Sequence, residues 1–187
     1  MPSERREELV GFLRKAQAGD RNAFSEIVKR MMKPVVAMIY RMTQDRDSAV
    51  DLAQDTFVSA WENLPTFRGE SKFESWLFAI ASNRTLNYLK SRSVRDRREL
   101  DEQAVAEFST ENPETDLARK ELHDRVLSFM TTLPEQQRLV FNLRFYRQMP
   151  FEEIARVTGK ALGTVKTHYR EAVKKLREVA IERGWHS

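Results

Sequence analysis

The sequence predicts an all-α protein: two small helical domains joined by an acidic linker, with a helix-turn-helix as the C-terminal domain. Three observations predict it. Apolar residues recur at three- and four-residue spacing along most of the 187-residue chain, and strand-like alternation is nearly absent. Only six glycines and six prolines punctuate it, too few for a fold of many strands and turns. Between the halves the charge switches sign: Arg92, Arg95, Arg97 and Arg98 give way to Glu99, Asp101, Glu102, Glu107, Glu111, Glu114 and Asp116, with no basic residue among them. A hydrophobic content of 41% is enough for a core in one medium domain or two small ones.

Leu9, Phe12, Leu13 and Ala16 trace a first amphipathic helix that stops near Gly19, and Asp20 is placed to cap the next. Ala23, Phe24, Ile27, Val28 and Met31 form the second helix's apolar stripe. Pro34 is expected to break or kink it, because proline lacks the backbone donor and crowds the preceding turn; residues 35–42 then resume the pattern. Asp47 is expected to cap a third helix over residues 48–63. Leu52, Thr56, Ala60 and Trp61 face inward there, and Asp51, Gln54 and Asp55 form an outward polar edge. On a chain of net charge +4, an acidic edge suits a protein partner better than DNA.

Residues 64–73 form a loop by their Pro, Gly and Ser content, yet they carry two rings, Phe67 and Phe73, and two cations, Arg68 and Lys72. The helix expected over residues 75–92 sets core residues Trp76, Leu77, Ile80, Ala81 and Tyr88 against Ser82, Asn83, Arg84, Asn87, Lys90 and Arg92. Rings offer stacking platforms to unstacked bases, Asn offers paired donor and acceptor groups, and cations track phosphates. Trp76 and Tyr88 taken singly are core residues by type, whereas Phe67 and Phe73 in the loop are candidates for base stacking. Residues 95–116 are the linker, between domains 1–94 and 117–187. Ser109-Thr-Glu-Asn-Pro113 adds turn and breaker chemistry to it. If flexible it spans on the order of 25 Å, enough to let the domains sit apart on a large partner; residues 100–108 alternatively form a packed helix.

The C-terminal pattern is the most specific. Ile154 and Ala155 mark a short helix, Gly159 a turn that needs positive φ, and Val165 the anchor of a second helix. Leu162, Val165, Tyr169, Val173 and Leu176 share one face of that helix, while Lys166, Thr167, Arg170, Lys174 and Arg177 project from the other. A basic face on the second helix of such a pair is suited to a DNA major groove, although an amphipathic hairpin with a merely hydrated face has the same periodicity.

Several classes are disfavoured. The chain has no run of eighteen apolar residues and no charged-then-apolar leader, so a cytoplasmic protein with no membrane insertion of its own is expected. It has no cysteine, and His123, His168 and His186 are too scattered for a metal cluster. No Gly-rich phosphate loop or nucleophile-base pair points to an enzyme. Glu152 and Glu153 are adjacent on a helix and point apart. No cofactor is expected. An autonomous DNA-binding regulator whose N-terminal half dimerises would use the helix-turn-helix, but leaves the 67–72 loop and the Asn-bearing helix without a task.

Four segments together carry a resemblance: Asp51-Leu-Ala-Gln-Asp-Thr-Phe57 with Ala60-Trp61, Phe67-Arg-Gly-Glu-Ser71 with Trp76-Leu77, Leu133-Pro-Glu-Gln-Gln-Arg138, and Glu152-Glu-Ile-Ala155 with Gly163-Thr-Val-Lys166. In order and spacing the chain resembles the sigma-70 family, in its minimal extracytoplasmic-function (ECF) form, over nearly its whole length outside the linker. The resemblance implies a promoter-specificity and transcription-initiation factor whose partners are core RNA polymerase, promoter DNA and an anti-sigma factor, in a stress-response setting. It implies polymerase clamp binding by Asp51, Gln54, Asp55 and Phe57. It implies capture of a minus-10 base and help in melting by Phe67, Arg68, Ser71, Lys72, Asn83, Arg84 and Asn87. Lys166, Thr167, His168, Arg170, Glu171 and Lys174 are implied to read the minus-35 element, and the acidic linker to thread near the polymerase's RNA exit path. Val50, Gln148, Pro150, His168 and Tyr169 depart from the usual pattern: an acidic residue precedes Asp51 in most members, and Gly and Ser stand where this chain has Gln148 and Pro150. The minus-35 sequence is therefore not transferable from a relative.

Overall fold

The computed structural model describes residues 2–96 and 117–185, so most of the expected linker, including residues 100–108, lies outside the described residues. The described residues form eight α-helices and one 3-10 turn, with no strand among them. In order these are α1 (Pro2–Gln17), α2 (Arg21–Thr43), α3 (Arg46–Asn63), the 3-10 turn (Leu64–Thr66), α4 (Phe73–Asp96), α5 (Leu117–Thr131), α6 (Glu135–Phe145), α7 (Phe151–Thr158) and α8 (Leu162–Glu182).

The turn between α1 and α2 has the expected chemistry: Gly19 sits at φ 94°, and the Asp20 carboxylate accepts the Asn22 and Ala23 amides at 2.9 and 3.1 Å. Pro34 does not break α2. Proline in a helix interior costs about 3 kcal/mol, but Ile27, Met31, Val35, Met38, Ile39 and Met42 are all buried on either side of it, and each such side chain contributes about 1.5–3 kcal/mol by leaving water. The cap of α3 is Asp45, accepting the Ser48 amide at 3.1 Å, rather than Asp47, which lies in the first turn. Gln44 ends α2 in the left-handed region at φ 56°, two positions after the last buried methionine, and this sets the register of the next helix start. Helix α4 begins at Phe73, two residues earlier than expected, and Phe73 is buried.

One apolar core runs through both halves: Ile27, Met38, Met42, Leu64 and Leu77 are continuous with Leu139, Leu143, Ile154 and Val165. A smaller core, Val126, Phe129, Met130, Leu133, Phe141 and Ala172, joins α5, α6 and α8. The two halves are thus packed together, not set apart. Polar contacts fix how they meet. The Arg138 guanidinium on α6 donates to the Met42 carbonyl at 2.7 Å and to the carbonyls of Thr131 and Leu133 at 2.9 and 3.1 Å. A cation there meets the carbonyl ends of both α2 and α5, where helix dipoles favour it. One turn on, the buried Asn142 amide donates to the Met38 carbonyl at 2.9 Å. Arg41 lies 3.9 Å over the Tyr146 ring and Arg147 4.8 Å over Phe78. Burial weakens the protonation of Arg41, Arg138 and Arg147, and raises the Tyr146 phenol.

Candidate nucleic-acid interface

The loop 67–72 is held at its two ends and open between them. Phe67 is half-buried against Phe73 and Trp76, with ring centroids 5.9 and 5.1 Å away, and those two rings lie 5.7 Å apart. This three-ring cluster roots the loop on the start of α4. Beyond Phe67 the chain turns at Gly69, whose φ of 74° a side chain would strain. Thr66, Phe67, Arg68, Glu70, Ser71 and Trp76 line a cavity of about 350 Å³. It offers ring faces for stacking and hydroxyl, guanidinium and carboxylate groups for hydrogen bonds, the mixture that a single unstacked base requires.

Phe73 is only 5% exposed, so it supports the cluster and has no face to offer a base. The same correction applies to Phe57, expected at a polymerase contact: at 4% exposure it is a core residue of α3 and steers the helix from beneath. Asp51, Gln54 and Asp55 are all exposed, as the outward edge requires, and Val58 continues their stripe at 58% exposure. Ser82, expected on the polar face of α4, is buried.

On α4 the exposed Asn83 and Asn87 do not reach the loop cavity. Seven residues from Trp76 to Asn83 carry the helix about 10 Å, and both asparagines instead line a second cleft of about 540 Å³ with Leu86, Lys90 and Ser93, closed on its far side by Glu135 and Gln136 of α6. Arg84 pairs with Asp55 at 3.6 Å, which joins a residue assigned to DNA with one assigned to a protein partner. Lys72, in the loop, lies 4.0 Å from the Glu153 carboxylate, and Ser75 donates to the other Glu153 oxygen at 2.6 Å. Glu153 therefore has a task on α7: it ties the first helix of the helix-turn-helix to the start of α4.

The helix-turn-helix has the expected build. Gly159 closes α7 at φ 64°, Ile154 and Val165 are fully buried between its helices, and Pro150 stands at the cap of α7, one position before the first turn. Gln148, where the resembling family has Gly, is in the left-handed region at φ 51°, so the backbone there keeps the conformation that glycine adopts at least cost. On α8 the side chains of Lys166, Thr167, Arg170, Lys174 and Arg177 are exposed, while His168 and Glu171 are half-buried at the edges of that face. Lys174 pairs with Glu178 at 4.0 Å along the helix. Ala172, fully buried against α5 and α6, escaped the sequence reading because alanine carries little hydrophobic signal. Arg138 and Asn142 were also missed as contacts between the halves, although Arg138 ends one of the segments that carry the resemblance.

Residues 27–95 match the family model of sigma-70 region 2, and residues 123–176 that of sigma-70 region 4. The RNA polymerase sigma-H factor of Pseudomonas aeruginosa is 33% identical over 175 residues, covering 86% of this chain and 89% of that protein. The chain belongs to the sigma-70 family, in its ECF branch. The ECF RNA polymerase sigma-E factor of Escherichia coli is 31% identical over 170 residues, 85% of this chain and 88% of that one. Among solved structures, the sigma factor RpoE in complex with the anti-sigma factor NepR from Bartonella quintana superposes with a TM-score of 0.69 at 25% identity, over 83% of this chain and 94% of that one. As a sigma factor the chain recognises promoters and takes part in transcription initiation with RNA polymerase. The family consists of DNA-binding initiation factors rather than catalytic enzymes, and no described helix is long and apolar enough to cross a membrane.

Proposed function

We propose that this sigma factor divides its work between residues 1–94, which bind the polymerase clamp and open the minus-10 element, and residues 117–187, which read the minus-35 element, with 95–116 as the connection. The observation that carries this reading is the loop cavity beside Phe67: an open, mixed polar and aromatic recess at the end of a rigid three-ring root. Phe67, Arg68, Ser71 and Lys72 hold the flipped base and its phosphates, and Asn83, Arg84 and Asn87 meet the adjoining strand once α6 has moved from their cleft. Asp51, Gln54 and Asp55 dock on the polymerase clamp. Lys166, Thr167, His168, Arg170, Glu171 and Lys174 face the minus-35 groove, where Lys and Arg take guanine or phosphate and Glu accepts from a cytosine amine. The chain itself carries out no chemistry and needs no cofactor, and it acts in the cytoplasm beside the polymerase. An anti-sigma factor holds it inactive, a reading supported by the structural neighbour bound to one.

The test is run-off transcription with purified core RNA polymerase, with and without this protein, on a genomic promoter library read by sequencing the transcripts. New starts sharing two spaced upstream elements are the expected result; DNA binding by the isolated protein without stimulation would favour an autonomous regulator. Within that assay Asn83→Ala spares polymerase binding and impairs open-complex formation, whereas Asp51→Arg abolishes docking on core.

A further inference from the structure

We infer that Gln17, the last residue of α1, is a positioning residue for base capture, an inference that rests on the reading of the 67–72 loop given above. Its half-buried side-chain amide donates to the Phe67 carbonyl at 2.8 Å and to the Leu64 carbonyl at 3.4 Å, fifty and forty-seven residues away in sequence. The Leu64 carbonyl also accepts the Phe67 amide at 3.1 Å to close the 3-10 turn, so a single amide group braces that turn at both its ends. Phe67 is where the backbone leaves the turn for an extended conformation, at φ −70° and ψ 108°, two residues before the positive-φ Gly69.

Phe67 is therefore held twice. Its ring is packed by α4 through Phe73 and Trp76, and its carbonyl is held by α1 through Gln17. The cavity wall begins at this residue and continues through Arg68, Glu70 and Ser71, so rotation of the Phe67 peptide is passed directly to the groups that would meet a base. The ring cluster alone fixes a side chain and leaves the peptide plane to choose; the amide removes that choice. A site that selects by hydrogen-bond geometry needs its supporting atoms fixed to within fractions of an ångström. The brace comes from residue 17, ahead of the 27–95 segment that matches sigma-70 region 2, so it is supplied to the loop from outside the matched region.

The experiment uses holoenzyme reconstituted from core polymerase and the full chain as wild type, Gln17→Leu and Gln17→Glu. Leucine removes the donor, and an ionised Glu keeps the side-chain shape but cannot donate to a carbonyl. Each holoenzyme is titrated with single-stranded minus-10 oligonucleotides bearing each of the four bases in turn at every position, alongside competition for core and thermal unfolding of the isolated variant. Both variants are expected to compete for core as wild type does while the affinity ratio between preferred and other bases falls about five- to tenfold, the effect of losing one well-placed hydrogen bond. An unchanged ratio would overturn the assignment, even where stability falls, because a merely structural contact lowers stability without touching base preference. Should Gln17→Leu not fold, Gln17→Glu carries the test. Arg68→Ala serves as the control for the loop itself: if it leaves the wild-type preference intact, the base-capture reading fails and the role of Gln17 fails with it.

Discussion

The two surfaces proposed to meet DNA are presented differently. On α8 the side chains of Lys166, Thr167 and Arg170 stand exposed on a helix anchored from beneath by Val165 and Ala172. On the loop and α4, by contrast, Lys72 faces Glu153, Arg84 faces Asp55, and Asn83 and Asn87 look across a cleft at Glu135 and Gln136. The face proposed to read duplex DNA stands open, whereas on the surface proposed for unstacked DNA Lys72, Asn83 and Asn87 meet the protein's own C-terminal half and Arg84 meets α3. On the proposed division of labour, the difference follows from what each must do. A helix entering an intact groove needs only rigidity and charge, but a surface that rewards strand separation would bind single strands indiscriminately if left open.

Gln136 Oε1, Arg138 Nε, Asn142 Oδ1 and Arg147 Nε are buried without a hydrogen-bond partner among the described residues. Such groups cost free energy in a dry interface and regain partners in water, so these polar atoms work against the apolar core between the halves.

The largest effect is expected from Asn142→Ala, which removes the buried amide clipping α6 to α2. It should destabilise the closed arrangement by about 2–3 kcal/mol, visible as earlier urea unfolding and as a longer distance between fluorophores placed on α3 and α8. An unchanged distance would show that the apolar core alone holds the halves. Arg170→Ala acts on the open face and should cost roughly 1–3 kcal/mol of discrimination among minus-35 sequences while leaving the fold intact; equal selectivity in a binding competition would remove Arg170 from the readout. Glu153→Gln sharpens the comparison from the other side. It takes a negative charge away from Lys72 and weakens the Ser75 bond, so affinity of the isolated protein for single-stranded DNA should rise severalfold at low salt, with no change in duplex minus-35 binding, and the gain should shrink as salt screens the exposed lysine.

The smallest effect concerns pH. Burial holds the Tyr146 phenol above its ordinary value, with Arg41 pulling the other way. A group whose pKa is higher folded than unfolded contributes stability that is fully present below the unfolded value, near pH 10, and is lost as pH rises through the folded one. Closure should therefore weaken above about pH 10, and Tyr146→Phe should flatten that alkaline loss. A wild-type slope retained in the variant would assign it to another group, Tyr40 being the first to examine since burial raises it too.

Much of this is legible in the sequence alone, for identifiable reasons. Asp20 as a cap, Gly19 and Gly159 at positive φ, the outward Asp51, Gln54 and Asp55, and the exposed basic face of α8 are local facts: each depends on a few neighbouring residues and the period of one helix. The cap of α3 is Asp45 rather than the expected Asp47, because where the preceding helix ends sets where α3 starts. Phe57 and Phe73 are core residues rather than contact residues, and an aromatic residue's position in the chain shows how it roots a helix or loop only once its neighbours in space are known.

The sequence by itself determined helices α1, α3 and α4, the helix-turn-helix and the family, because these rest on periodicity, caps and motif spacing within short windows. Only the tertiary structure decided that Pro34 sits inside an unbroken helix, that Arg138 and Asn142 of α6 hold the carbonyl end of α2, that Glu153 reaches Ser75 and Lys72, and that Gln17 braces Phe67. The partners in these contacts lie between 50 and 104 residues apart. Nothing in local propensity encodes such pairings; they follow from burying one continuous core between two halves of the chain.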